Sequence, residues 1–276
     1  MKKGREAMSQ WKVKVYKRSF LFIFLCVFLV ACGKNVDEGA LGAETKASST
    51  LLSYELSRAS YSEHEIEIYY PQIENMGDSH KQNQLNELIK REALAIIDQY
   101  DPEPLGDSDI QISEDSLELD YKIMLKNDYI LSIQYLGWTY TKGAAHPSNL
   151  FFTTNIDIVN EKLVRLSDLV IIDENFLKKL KEAQYIPFDP DLNLEELGVL
   201  DEYPLSDDQL IRYFKNPDTS DIYNDTKSYI TEDALGISLP FPRALGDHAE
   251  YELKFTDIIE NIRQENELWE HLLKKE

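Results

Sequence analysis

The feature that most limits what this chain can fold into is an unbroken apolar run from Phe20 to Ala31, entered directly from a basic stretch holding Lys12, Lys14, Lys17 and Arg18. That order is the pattern of a secretory signal. As a helix the run would be roughly 18 Å long at about 1.5 Å per residue, short of the roughly 30 Å hydrocarbon core of a bilayer. Residues 1–31 therefore read as a removable signal rather than a membrane span. Whatever builds a core must lie beyond them.

The run ends in Leu29-Val30-Ala31-Cys32, which resembles the lipobox of bacterial lipoproteins, where the thiol accepts a diacylglyceryl group before cleavage. The resemblance implies lipid on Cys32 and anchoring at the extracytoplasmic face of the cell membrane. One acyl chain holds weakly, so stable retention implies multiple acylation. Cys26 would leave with the signal, which leaves Cys32 alone and no intrachain disulfide or cysteine-based zinc site. A remainder of about 240 residues can bury enough apolar surface to stand without such staples.

Charge narrows the partners. The chain carries 29 Lys and Arg against 50 Asp and Glu; residues 1–31 hold seven of the former and one of the latter, leaving 22 against 49. A net charge near −27 excludes nucleic acid as a partner. It favours encounter with cationic proteins at low salt, and it also serves solubility. With 16 Tyr, 11 Phe and 3 Trp in a chain that is 43% hydrophobic, the acidity is not that of a disordered tail.

Periodicity then divides the rest. Residues 32–53 are rich in Gly, Ala, Ser and Thr and read as a flexible tether. Ser60 to Tyr70 alternates as a half-buried strand ending at Pro71, and Lys81 to Tyr100 spaces Leu85, Leu88, Ile89, Ala93, Ile96 and Ile97 as one helix face. Residues 116–140 give a hairpin turning at Asn127-Asp128, and Asn149 to Val159 gives the next strand. Short helices are expected over 173–184 and 206–214, strands around Tyr229–Ser238 and Ala249–Phe255, and a helix from Asp257 to Leu273. The fold class is α+β: mostly antiparallel sheets with helices packed on one face, in two consecutive modules, 54–140 and 141–276.

Three stretches carry a family resemblance: Tyr140-Thr141-Lys142-Gly143-Ala144-Ala145-His146-Pro147, Arg165-Leu166-Ser167-Asp168-Leu169, and Tyr229 to Ser238. Together they resemble a DUF4163-like module followed by a DUF3298-like module, as in the extracellular region of the lysozyme-sensing anti-sigma-V factors. The resemblance implies a ligand-binding, non-catalytic domain without a cofactor, whose partner is a cationic protein such as lysozyme or a cell-wall component. The family loop more often reads Gly-Gly-Ala-His where this chain has Gly143-Ala144-Ala145-His146, which puts a close backbone contact there in question. Such modules also precede peptidoglycan deacetylase domains, but the second module is expected to use the remaining sequence here.

An enzymatic reading needs a constellation, and His146, Asp247 and His248 are the candidates for an envelope hydrolase or metal-dependent enzyme. The plainer reading is that His146 fixes its own loop and that Asp247-His248 closes a turn after Gly246. No HExxH, GxSxG or P-loop pattern is present. Asp189 to Leu200 and Asp101 to Ile112 offer oxygen ligands but fail the calcium-loop pattern at the twelfth position, which leaves solvated surface loops or a looser acidic cation site and assigns no metal ligand. For binding, Trp138 and Tyr140 run into the His146 loop. Tyr140, Gly143, His146, Asp247 and His248 are the candidate ligand-binding residues, with Tyr140 and His146 expected at the surface.

Overall fold

A computed structural model describes residues 53–97, 116–187, 204–215, 227–242 and 246–274. The signal, Cys32, the tether up to residue 52 and both rejected calcium loops lie outside these residues. Among the described residues no helix is long and apolar enough to cross a membrane.

The first sheet has six strands in sequence order: β1 (Glu55–Glu63), β2 (Ile66–Glu74), β3 (Ser116–Lys126), β4 (Ile130–Tyr140), β5 (Ser148–Asp157) and β6 (Lys162–Leu163). All neighbours are antiparallel except β2 and β3, which pair in parallel over three residues. Helix α1 (Ser79–Leu94) crosses from one to the next, as a parallel connection requires. Its amino end is capped by Asp78, whose carboxylate accepts from the His80 and Lys81 N–H groups, and Leu85, Leu88, Ile89 and Ala93 are buried against the sheet. Strand β5 lies beyond residue 140 yet pairs with β4 over ten residues, so the sheet is continuous there.

One expected strand becomes two. The alternation from Ser60 to Tyr70 runs through a hairpin turn, because His64 adopts φ 52° and Glu63 pairs with Ile66. Pro71 does not end the second strand. The Ile73 N–H is taken by the Asn86 side chain of α1, so this edge of β2 faces away from β1. Pro71, two residues earlier, presents the same edge beyond the stretch paired with β3, where its missing N–H breaks no ladder bond.

The second sheet has four antiparallel strands in the order β7 (Gln184–Ile186), β10 (His248–Lys254), β9 (Ala234–Pro240) and β8 (Lys227–Ile230). On one face it packs α2 (Leu166–Leu169), α3 (Glu174–Lys181), α4 (Asp207–Lys215) and α5 (Leu268–Leu272), around Leu177, Phe214, Tyr251, Leu253 and Trp269. The expected helix from Asp257 to Leu273 is reduced to α5. Upstream of it the backbone is captured by the 169–171 segment: Ile171 donates to the Asn261 carbonyl, Arg263 donates to the Leu169 carbonyl, and Val170 bridges Ile262. Tertiary pairing there overrides helical spacing. The expected α+β class therefore stands, with a separate core on α1 and another around the smaller sheet.

Candidate functional site

Two faces position the functional side chains. Along β4, Leu131, Ile133 and Tyr135 point into the α1 core, so Ser132, Gln134, Leu136, Trp138 and Tyr140 share the opposite face. The smaller sheet covers the first part of that face. Ser132 donates to the Asn155 side chain at 2.7 Å and accepts from the Ile230 N–H at 2.9 Å, and Asn155 donates to the Ser228 carbonyl at 2.7 Å. Gln134 donates to Glu250 at 2.8 Å, and both side chains are buried.

Glu250 belongs to a polar row on β10. Ala249, Tyr251 and Leu253 enter the helical core, which turns His248, Glu250 and Glu252 to the other face. His248 Nε2 lies 3.5 Å from Glu250, and its ring sits 4.7 Å from the Phe151 ring. Tyr229 donates to Glu252 at 3.1 Å, reaching it by lying flat over Gly236, its directly paired neighbour. Burial, reinforced by Glu250 and Glu252, pushes the Tyr229 phenol far above its ordinary range, so it remains a proton donor. The sequence signal for this row was the alternation of charged and apolar residues in 248–254. Alternation reads as a solvent face, and only the opposing sheet makes it an interior one.

The expected site residues differ in burial and in what they bond. Asp247, at φ 70° beside Gly246 at φ 97°, closes the turn before β10, and its carboxylate accepts from the Asn149 N–H at 2.9 Å. That bond ties the start of β5 to the smaller sheet and so anchors one end of the 141–147 loop. Gly143 adopts φ 91°, and a Cβ there would meet nothing within 4 Å. It is glycine for its backbone conformation, not for a close contact. His146 is exposed and Tyr140 half-buried, whereas His248 is buried. Among the described residues no three His, Cys, Asp or Glu side chains are grouped to hold a metal. The His146, Asp247 and His248 constellation is not assembled as a metal set.

Beyond the cover of the smaller sheet the β4 face opens. Leu136 is half-buried, Trp138 is 37% exposed and Tyr140 half-buried. Directly across from Trp138 on β3 is Glu118, and across from Glu118 on β2 is Glu67. Gly137 allows the close strand approach that sets Glu118 beside Trp138: an added Cβ would fall 2.0 Å from the Glu118 carbonyl oxygen. One row along, Arg58 holds Asp120 through two bonds of 2.8 and 3.1 Å, with its guanidinium 3.9 Å from the Tyr69 ring centre. Sequence reasoning reached Trp138 and Tyr140 but not the two glutamates, because strand register is set by long-range pairing.

A family model described as Deacetylase PdaC matches residues 45–149. Solved structures similar to the chain include two DUF3298 family proteins. One, from Bacteroides fragilis NCTC 9343, is 14% identical with a TM-score of 0.45, covering 81% of this chain and 98% of its own. The other, from Pseudomonas aeruginosa PAO1, is 16% identical with a TM-score of 0.46, covering 77% and 95%. No curated protein matches the chain.

Proposed function

We propose that this chain is a lipid-anchored, extracytoplasmic binding protein without catalytic activity, and that its ligand is a cationic protein, a lysozyme-like muramidase being the sharpest case. The observation that carries this reading is the one-sided charge, 22 basic against 49 acidic residues after residue 31, on a domain whose open sheet face presents carboxylates beside an exposed tryptophan. Such a field steers a basic partner to the surface, and aromatic side chains hold it after encounter. The Leu29-Val30-Ala31-Cys32 motif supports the membrane anchor, with lipid on Cys32.

The test is capture of the full chain, purified in neutral detergent, by immobilised cationic muramidase at low and at physiological salt. Saturable binding that weakens as salt rises supports the reading. Lack of saturable binding in both conditions overturns it. Peptidoglycan turnover by the same preparation, abolished by His146→Ala, would replace the non-catalytic reading with an enzymatic one.

A further inference from the structure

The open face of the six-stranded sheet repeats one chemical arrangement in two adjacent rows. In the first, a carboxylate (Asp120) and an aromatic ring (Tyr69) hold a guanidinium, that of Arg58, supplied by the chain itself. In the second, the carboxylates are Glu118 and Glu67 and the ring is Trp138, and among the described residues no cation pairs with either carboxylate. Neighbouring strands lie about 4.8 Å apart, so two exposed carboxylates sit side by side at Glu67 and Glu118. Like charges directly opposite on a sheet destabilise it. Tryptophan is the strongest of the aromatic faces for a cation, and arginine prefers such stacking while pairing carboxylates bidentately.

Resting on the binding reading above, we infer that the row Glu67, Glu118 and Trp138 is the docking surface for a basic protein partner, and that it seats an arginine of that partner. The seated guanidinium stacks on the Trp138 ring and bridges Glu118 and Glu67, as Arg58 does between Tyr69 and Asp120 one row away. Leu136 and Tyr140 flank it and supply half-buried apolar area. A second copy of this chain is disfavoured as occupant, because the face would meet its own carboxylates. Exposed Trp138 flanked by half-buried apolar residues is the anatomy of an interface anchor with a polar rim.

The experiment measures affinity of the full chain for immobilised muramidase, and for arginine-rich and lysine-rich peptides of equal charge. Trp138→Ala and the pair Glu67→Gln with Glu118→Gln are compared with a control pair of equal charge change elsewhere, Glu232→Gln with Glu260→Gln. Expected are at least a tenfold loss of muramidase affinity in both test variants, less than twofold in the control, and an arginine over lysine preference that Trp138→Ala removes. Thermal melting checks that each variant folds; the glutamine pair keeps the test open if Trp138→Ala does not. If wild type binds but the control pair weakens binding as much as the test pair, or Trp138→Ala leaves it unchanged, the surface is wrong and the functional reading survives. If wild type captures no muramidase, the functional reading falls and takes this surface with it. Concentration-dependent self-association lost in Trp138→Ala would overturn the basic partner in favour of a second copy.

Discussion

Adding a single methyl group at position 236 tests how tightly the two sheets are fitted. Strand propensity alone makes Gly236→Ala favourable, by about 0.5–1 kcal/mol. The structure reverses the sign. A Cβ at Gly236 would lie 2.1 Å from Cζ of Tyr229 and 2.3 and 2.4 Å from its Cε atoms, where carbon atoms rest at about 3.5–4.0 Å. The ring must therefore retreat by roughly 1.5 Å. It is 1% exposed, with the Phe151 ring 6.4 Å away, so the retreat costs about 1–3 kcal/mol of overpacking. If the phenol also loses Glu252, about 1.5–3 kcal/mol more is lost, since that bond is to a charged acceptor. A total near 3 kcal/mol lowers the melting temperature by roughly 6–12 °C for a domain of this size. Urea unfolding of both single variants and the double variant, with Tyr229→Ala as partner, gives the coupling energy directly. Without the ring, Gly236→Ala should cost less than about 0.5 kcal/mol. A Gly236→Ala protein as stable as wild type, or one equally destabilised in the Tyr229→Ala background, refutes the steric argument.

Gln134→Ala removes the donor to buried Glu250 and should cost about 2 kcal/mol by urea unfolding, while leaving muramidase capture intact. Tyr54, Tyr135 and Tyr229 all have phenols pushed well above the ordinary value, in each case chiefly by burial. Their contribution to stability is full below pH about 10 and is lost as pH rises above it, so ultraviolet titration should show three phenols ionising only with unfolding. His271, stacked on Tyr129 with centroids 3.4 Å apart, is shifted down, first by burial and then by Lys274. That contribution is present above pH about 6.5 and is lost as pH falls through the lowered folded value. A proton NMR titration should place His271 below 6.5, and Tyr129→Ala should raise it.

The parts of the fold legible in sequence are those fixed by local periodicity or local hydrogen bonding. Leu85, Leu88, Ile89 and Ala93 read as a buried helix face and are one, and Asn127 marked the β3–β4 turn because its side chain accepts from the Tyr129 and Ile130 N–H groups. The His64 turn hid inside an unbroken alternation, since a two-residue hairpin loop keeps the period of the strands it joins. The Asp257 to Leu273 spacing was misleading for the opposite reason: distant backbone at 169–171 took the bonds a helix would have used. At the candidate site, Asp247 could be read as a turn residue, but its acceptance of the Asn149 N–H spans 98 positions and leaves no local trace. Glu118 and Trp138 face each other only through register, which no single strand encodes.

The seam between the sheets also sets a timetable. Ser132 meets Ile230 across 98 positions, and Gln134 meets Glu250 across 116. Contacts this distant close late in folding. Until β8 to β10 are in place, Ser132, Gln134 and Phe151 lack their cover on one side of the first sheet. The folding chain is thus most exposed to misassociation just before its last strands dock, and a truncation within residues 227–254 should leave a chain that binds holdases rather than a smaller folded domain.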